Sequence, residues 1–378
     1  MSNFLFDFFA EFIKGSIWKQ MEETVENSPW HREANVATHT LMVVSYFNDH
    51  FAHKYTAKQQ MIAMLALLFH DTGKPEAEEE LEKADGSGKY RRYAGHELES
   101  AHVFMEQYLA SSLKDHLTVE EARAIRWIIE HHLPYGYKNK QKLQDLKKAT
   151  MSALHAADCP IGLFYDCLRA DAHGRISDNH EEKLQNVETW IYSFDAVTFD
   201  TRATHQYSGK MYILVGPSGS GKSTFTQELS KNHDVSVIND DQMKMDLFRS
   251  IFANDARSDF DIYDDAWQYC TMDHKPEYTF YRNKQISDIA SNTAKNGSVV
   301  VCDMVNSSKK RRAQMVDVAK CHDLDVEVVE FWVPLDTLLA RQQSRSDKRV
   351  PVDSIKKQYS AIQLAWLGVE CNSVKVIS

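Results

Sequence analysis

The sequence predicts a multidomain protein: an all-α helical bundle over residues 1–200, followed by an α/β domain with a parallel sheet over residues 208–378. Three observations predict it. Apolar residues recur at helical spacing through most of the first half. Beyond residue 210, short apolar runs alternate with helical segments, the pattern of strands and crossover helices in a parallel sheet. A polar stretch, Thr198–Lys210, separates the two patterns.

In chain order, MSNFLFDFFAEFIKG is apolar but carries Asp7, Glu11 and Lys14 and has no basic leader region, so it reads as an amphipathic first helix and not a signal peptide. Helical periodicity follows around Val36–Phe47, Met61–Phe69, Ala101–Leu109, Ala122–Ile129, Met151–Ala157 and Glu181–Phe194. Residues 76–92, charged and ending in a Gly/Ser turn, read as a solvated excursion between helices. In the second half MYILVG, VSVIND, SVVVCDM and VEVVEFWVPL carry the strand signature, and TFTQELSKN reads as a helix.

Composition excludes several classes. Of the 378 residues, 43% are hydrophobic and 26% charged, ordinary for a globular protein, and no apolar run is long enough to span a membrane. Six cysteines without a CxxC pair predict reduced, mostly buried thiols and a cytoplasmic setting. A net charge of −10 argues against coating nucleic acid, while leaving room for a local basic patch that grips one strand end.

GPSGSGKST, Gly216–Thr224, matches GxxxxGK[ST] after an apolar strand and before a helix, the context a phosphate-binding loop requires. Gly216, Gly219 and Gly221 let backbone N–H groups of the loop, including Ser218, turn toward phosphate oxygens. Lys222 supplies charge to the β/γ-phosphates, Ser223 is the Mg²⁺ ligand, and Thr224 opens a helix whose dipole favours the anion. ATP or another NTP with Mg²⁺ is the expected cofactor. Downstream, Asp240 and Asp241 follow a strand; Asp241 is the candidate general base, the alternative being a magnesium ligand. Asp303 and Asn306 end another strand at the edge where α/β sheets place ligands. Arg341 and Arg345, four apart, share a helix face that can close over a triphosphate, with Lys348 and Arg349 just beyond.

Residues 208–365 resemble the polynucleotide 5′-kinase family. There a short S-D-x-x-R-type segment carries the base and an arginine that holds the acceptor's phosphate; the base falls on Asp241 and the arginine position on Lys244, which keeps the charge and loses the fork. The family's D-x-T-N strand resembles Asp303–Asn306 with Val305 in place of threonine, its lid arginines resemble Arg341 and Arg345, and its R-x-V-P ending is approximated by Arg349, Val350 and Pro351. Gluconate-kinase-like small-molecule kinases share much of this pattern.

The first half carries most of the 17 histidines, in an ordered set: His39, His70–Asp71, His96, His131–His132 and Asp171. Imidazole nitrogen and carboxylate oxygen together suit borderline divalent metals, and a helical bundle can converge such ligands in its core. Residues 25–190 resemble the HD phosphohydrolase superfamily, through H…HD…H…H…D, HDTGKP and LRADAHGR. That resemblance implies one metal on His39, His70, Asp71 and Asp171, and a second on His96 with His131 or His132, Asp71 bridging. It implies one or two divalent cations of the Mn, Co, Ni, Fe or Zn class, with Lys74 on the substrate phosphate. His31 and Glu33 are candidates to brace the first ligand, the alternative being surface capping.

Together the halves resemble the HD-Pnk family of RNA end-healing enzymes, implying NTP-dependent phosphorylation of 5′-OH ends and metal-dependent removal of 2′,3′-cyclic, 2′- or 3′-phosphate. RNA or DNA ends and a polynucleotide ligase are the implied partners, with no membrane. Two rivals stay open: an HD nucleotidase fused to a nucleoside or other small-molecule kinase, and a nucleotide-sensing protein without catalysis.

Overall fold

The structure, a computed structural model, describes residues 3–28, 31–82, 88–136, 139–198, 205–344 and 350–378. The chain divides into two units, Met1–Asp200 and Thr201–Ser378.

In the first unit α1 (Asn3–Phe12) and α2 (Ser16–Glu23) precede an antiparallel hairpin of β1 (Val25–Ser28) and β2 (His31–Asn35). After α3 (Val36–His50) and α4 (Ala57–Phe69), β3 (Glu78–Glu82) pairs with β4 (Lys89–Tyr93). Six helices complete it: α5 (His96–Ala110), α6 (Leu113–His116), α7 (Val119–Glu130), α8 (Lys140–His155), α9 (Ile161–His173) and α10 (His180–Asp195).

Helix α4 is the axis. Every residue from Met61 to Phe69 is buried, as expected of a helix apolar on all sides. Its start is fixed by a capping box between Thr56 and Gln59, and α7 begins the same way at Thr118 and Glu121. Around α4 pack α3, α5, α7 and α9. The two hairpins depart from the all-helical expectation. Residues 76–92 form β3 and β4 where a solvated excursion was expected, with residues 83–87 outside the described ones. The pairing is electrostatic: Glu79 lies opposite Arg92, Glu80 opposite Arg91 and Glu82 opposite Lys89.

The second unit holds a five-stranded sheet in the order β6-β7-β5-β8-β9, all parallel. Its strands are β5 (Gly209–Val215), β6 (Val235–Ile238), β7 (Val299–Cys302), β8 (Leu324–Phe331) and β9 (Ser373–Ile377). Helix α11 (Lys222–Leu229) follows β5. Helices α12 (Asp240–Ile251), α13 (Asp259–Gln268) and α14 (Lys275–Asn296) lie between β6 and β7. Then come α15 (Lys309–Cys321), α16 (Leu335–Gln343) and α17 (Val352–Ser360).

One face of the sheet packs Met211, Ile213, Val300 and Val328 into the larger core; the other packs Leu214, Val301, Val329 and Phe331. Burial on both faces is what continuous apolar strands of a parallel sheet require. The central strand β5 has β7 on one side and β8 on the other, so the chain reverses its winding there, the place where open α/β sheets bind ligands. All six cysteines are free and five are buried. Among the described residues, no helix is long and apolar enough to cross a membrane.

Candidate functional sites

In the first unit each helix around α4 delivers one side chain to a common point. His39 comes from α3, His96 from the start of α5, His132 from just past α7 and Asp171 from α9; α4 itself ends on His70 and Asp71. All six are buried. They form two groups, His39–His70–Asp171 and Asp71–His96–His132, and within each the ligand atoms lie within 4.8 Å of one another.

Asp71 joins the groups. Its Oδ2 lies 3.1 Å from His70 Nε2 and 3.5 Å from His39 Nε2, and its Oδ1 lies 3.1 Å from His96 Nε2 and 3.7 Å from His132 Nε2. Asp171 Oδ1 is 3.1 Å from His39 Nε2. The far ring nitrogens face main-chain carbonyls: His39 Nδ1 that of Gly174, His70 Nδ1 that of Leu67, His96 Nδ1 that of Tyr93 and His132 Nδ1 that of Ile129. A carbonyl only accepts, so each Nδ1 carries the hydrogen and each neutral ring presents a lone pair at Nε2. The Nε2 atoms of His39 and His70 are 3.3 Å apart, and so are those of His96 and His132. With the Nδ1 hydrogens spent on carbonyls, each facing pair needs a proton or a metal cation between its Nε2 atoms. A buried set of imidazole nitrogens and carboxylate oxygens fits one or two borderline divalent metals.

Charge in this centre is held by its neighbours. Burial raises a carboxyl's pKa, yet Asp71, beside His70 and Lys74, and Asp171, beside Arg175, stay well below the usual carboxylate range. Burial also opposes a charged imidazole, but Asp71 and Asp171 lift His70 to about 10. Burial, reinforced by His70 and His96, drops His132 to about 3. Of the adjacent pair His131–His132 only His132 enters the centre. His131 stacks on Trp127, its Nδ1 donating to that residue's carbonyl at 3.0 Å.

One expectation is corrected here. Lys74, expected on a substrate phosphate, is buried between Asp71 Oδ2 at 2.8 Å and Glu26 Oε1 at 2.6 Å, so it holds the bridging carboxylate. Glu33 accepts from the Ile176 N–H at 2.7 Å and lies 3.5 Å from His39 Nδ1, bracing the first ligand as expected; the side chain of His31 lies outside the described residues.

In the second unit the phosphate loop, the start of α12 and Asp303 follow β5, β6 and β7, which puts them on one edge of the parallel sheet. Gly219 and Gly221 have φ of +86° and +103°, values that favour glycine. A side chain on Gly216 would meet Ser220 Oγ at 2.5 Å. Lys222 Nζ donates to the carbonyls of Gly216 at 2.9 Å and Pro217 at 2.8 Å, curled within its own loop. Ser223 Oγ donates to Asp303 Oδ2 at 3.0 Å, so Asp303 sits beside the candidate magnesium ligand and not on a distant acceptor subsite. Arg341 donates through Nη1 to the Gly219 carbonyl at 3.1 Å, over the loop; Arg345, Lys348 and Arg349 lie outside the described residues.

The acceptor side differs from expectation in two residues. Asn306 is buried and turned inward, its amide donating to the Leu214 carbonyl at 3.0 Å, so it ties two strand ends together. Lys244 is buried, ion-paired to Asp240 and 3.5 Å from Asp241 Oδ1, because Asp240 stands one helical turn before it. Asp240 also accepts from Tyr278 Oη at 2.7 Å and Arg282 Nε at 2.8 Å. Burial would raise its carboxyl, but Lys244, Tyr278 and Arg282 hold it below the usual range. Asp241, about as exposed as Asp240, has the looser contact with Lys244 and a hydrogen bond with Tyr263. Sequence reasoning missed Arg282, Tyr278 and Gln358, whose Oε1 accepts from the Ser218 N–H at 2.9 Å across 140 positions. It also missed Arg175, which sits on Asp171 at 2.6 Å.

Residues 211–365 match the AAA domain family. Among solved structures, a chain of the Pnkp1/Rnl/Hen1 complex is 23% identical, over 39% of this chain and 43% of that one, with a TM-score of 0.27. The crystal structure of APE1195 is 18% identical, over 37% of this chain and 70% of that one, with a TM-score of 0.25. The match spans less than half the length of the first. The second unit is a P-loop kinase-like domain, which implies a phosphotransferase that uses nucleotide with Mg²⁺.

Proposed function

We propose that the chain is a two-activity nucleic-acid end-healing enzyme. The kinase-like unit phosphorylates 5′-OH polynucleotide ends, and the helical unit is an HD-type phosphohydrolase that removes 2′,3′-cyclic, 2′- or 3′-phosphate. Together the products are a 5′-phosphate and a 3′-OH, the pair a ligase joins. The observation that carries this reading is the shared Asp71, one carboxylate serving two His/Asp groups in a chain that also holds a complete phosphate loop.

In the kinase-like unit Lys222 leaves its loop carbonyls to bind β/γ-phosphate oxygens. Ser223 and Asp303 hold the magnesium side, and Arg341 neutralises charge as the phosphoryl group transfers. Asp241 accepts the proton of the attacking hydroxyl, since Asp240 is already engaged by three donors. In the helical unit His39, His70 and Asp171 would hold one cation and His96 and His132 the second, with Asp71 between. Bound there, such cations polarise a phosphoryl oxygen and make hydroxide available near neutral pH. Glu26 and Lys74 fix Asp71, and Glu33 and Gly174 fix His39, while Arg175 touches Asp171 through Nη2.

The test is an RNA bearing 5′-OH and 2′,3′-cyclic phosphate ends, incubated with ATP, Mg²⁺ and Mn²⁺, with both ends scored. Asp71→Ala is expected to abolish the phosphohydrolase and spare the kinase, and Lys222→Ala to do the reverse. Joint loss of both activities in either variant sinks the two-site reading. The engagement of Lys244 by Asp240 favours one rival, a kinase for nucleosides or other small molecules, because it removes the cation expected on the acceptor's phosphate. A mononucleoside that outcompetes a 5′-OH oligonucleotide would establish that rival.

A further inference from the structure

Of the two cations that touch the carboxylates of the His/Asp centre, one is built in and one is not. Lys74 has a side chain 4% exposed and spans two carboxylates. Arg175 has a side chain 17% exposed, and among the described residues it makes a single hydrogen bond, Nη2 to Asp171 Oδ2. A guanidinium has five N–H donors in a planar fork. Its Nε is buried and, among the described residues, has no hydrogen-bond partner. A buried donor left open on a charged group is costly, and a native structure that keeps one needs a reason.

The loop that carries Arg175 is fixed on both sides. The Gly174 carbonyl receives His39 Nδ1 at 3.2 Å, the Ile176 N–H donates to Glu33 Oε1 at 2.7 Å, and the Ile176 carbonyl accepts from the Arg32 N–H at 2.9 Å. The guanidinium is therefore placed by backbone, at the edge of the metal-ligand set.

We propose that Arg175 is the substrate-binding residue of this centre, its open N–H groups taking the phosphoryl oxygens, and that it favours a terminal phosphate monoester over a 2′,3′-cyclic phosphate. The inference rests on the phosphohydrolase reading above. Its selectivity follows from charge: a monoester carries nearly two negative charges at neutral pH and a cyclic diester one, so an added cation matters more to the monoester.

The test uses the full chain with Lys222→Ala throughout, so that the phosphate loop does not bind the probes. Binding of Mn²⁺ alone is measured by calorimetry, and KM and kcat are measured on a nucleoside 3′-monophosphate and a nucleoside 2′,3′-cyclic phosphate. Arg175→Gln is expected to raise KM for the monophosphate by about tenfold or more, the size of one charge-assisted hydrogen bond. KM for the cyclic phosphate and the affinity for Mn²⁺ are expected to move by less than about threefold, with Arg175→Lys intermediate. Weakened Mn²⁺ binding with equal loss on both substrates would mean that Arg175 only orients Asp171, and unchanged KM on both would remove it from the site; either overturns the proposal. Wild-type protein that binds Mn²⁺ but hydrolyses neither phosphate defeats the phosphohydrolase reading itself, and the inference with it.

Discussion

At the scale of residues, both sites turn on neighbouring groups with the same chemistry and different surroundings. Asp240 and Asp241 are adjacent, yet one is held by Lys244, Tyr278 and Arg282 while the other meets Tyr263 and, more loosely, Lys244. Asp241→Asn is expected to lower the kinase kcat by about a hundredfold or more with little change in stability, the range for loss of a general base. Asp240→Asn leaves the buried Lys244 ammonium short of its carboxylate and is expected to cost about 2 kcal/mol in denaturant unfolding. A kcat held by Asp241→Asn and lost only in Asp240→Asn would move the base by one position. The histidine pair shows which part of such detail the sequence exposes. An ordered series of histidines and aspartates is rare enough to read directly, whereas the choice of His132 over His131 depends on how the chain leaves α7. The engagement of Lys244 was legible, because Asp240 precedes it by four. The contacts of Glu26, Arg282 and Gln358 were not, since their partners come from other elements.

At the scale of elements, a ligand is only as fixed as the loop behind it. A side chain at Gly174 would lie 2.6 Å from the backbone of Val43 on α3, and helix backbone yields little. Gly174→Ala is expected to cost about 1–3 kcal/mol, as overpacking does, and to weaken Mn²⁺ binding because the same residue's carbonyl holds His39. Unchanged stability and unchanged Mn²⁺ affinity together would show that the loop does not position the ligand. Most helices of the bundle and the first four strands of the sheet were legible from apolar pattern alone, but α2, α6 and α9 were not. The hairpins were not: β3 and β4 carry charges in place of an apolar alternation, and their signal lies in the pairing of an acidic strand with a basic one. Strand β9 is five residues long and half-exposed at the sheet edge, too short for a periodic signal.

At the scale of the molecule, each unit has its own candidate site, and each ligand is expected to stabilise the unit that binds it. Calorimetric unfolding with Mn²⁺ is expected to raise one transition, and MgATP the other. Asp71→Ala should erase the first shift and Lys222→Ala the second. A Mn²⁺ shift that survives Asp71→Ala would place cation binding elsewhere. One device recurs across three separate segments of the bundle: His70, His96 and His132 each anchor Nδ1 on the carbonyl three residues earlier. The choice of tautomer is thereby entrusted to main chain, which no point substitution deletes. Leu67, Tyr93 and Ile129 can drift in identity as long as each turn keeps its shape, so the donor set tolerates sequence change around it far better than change within it.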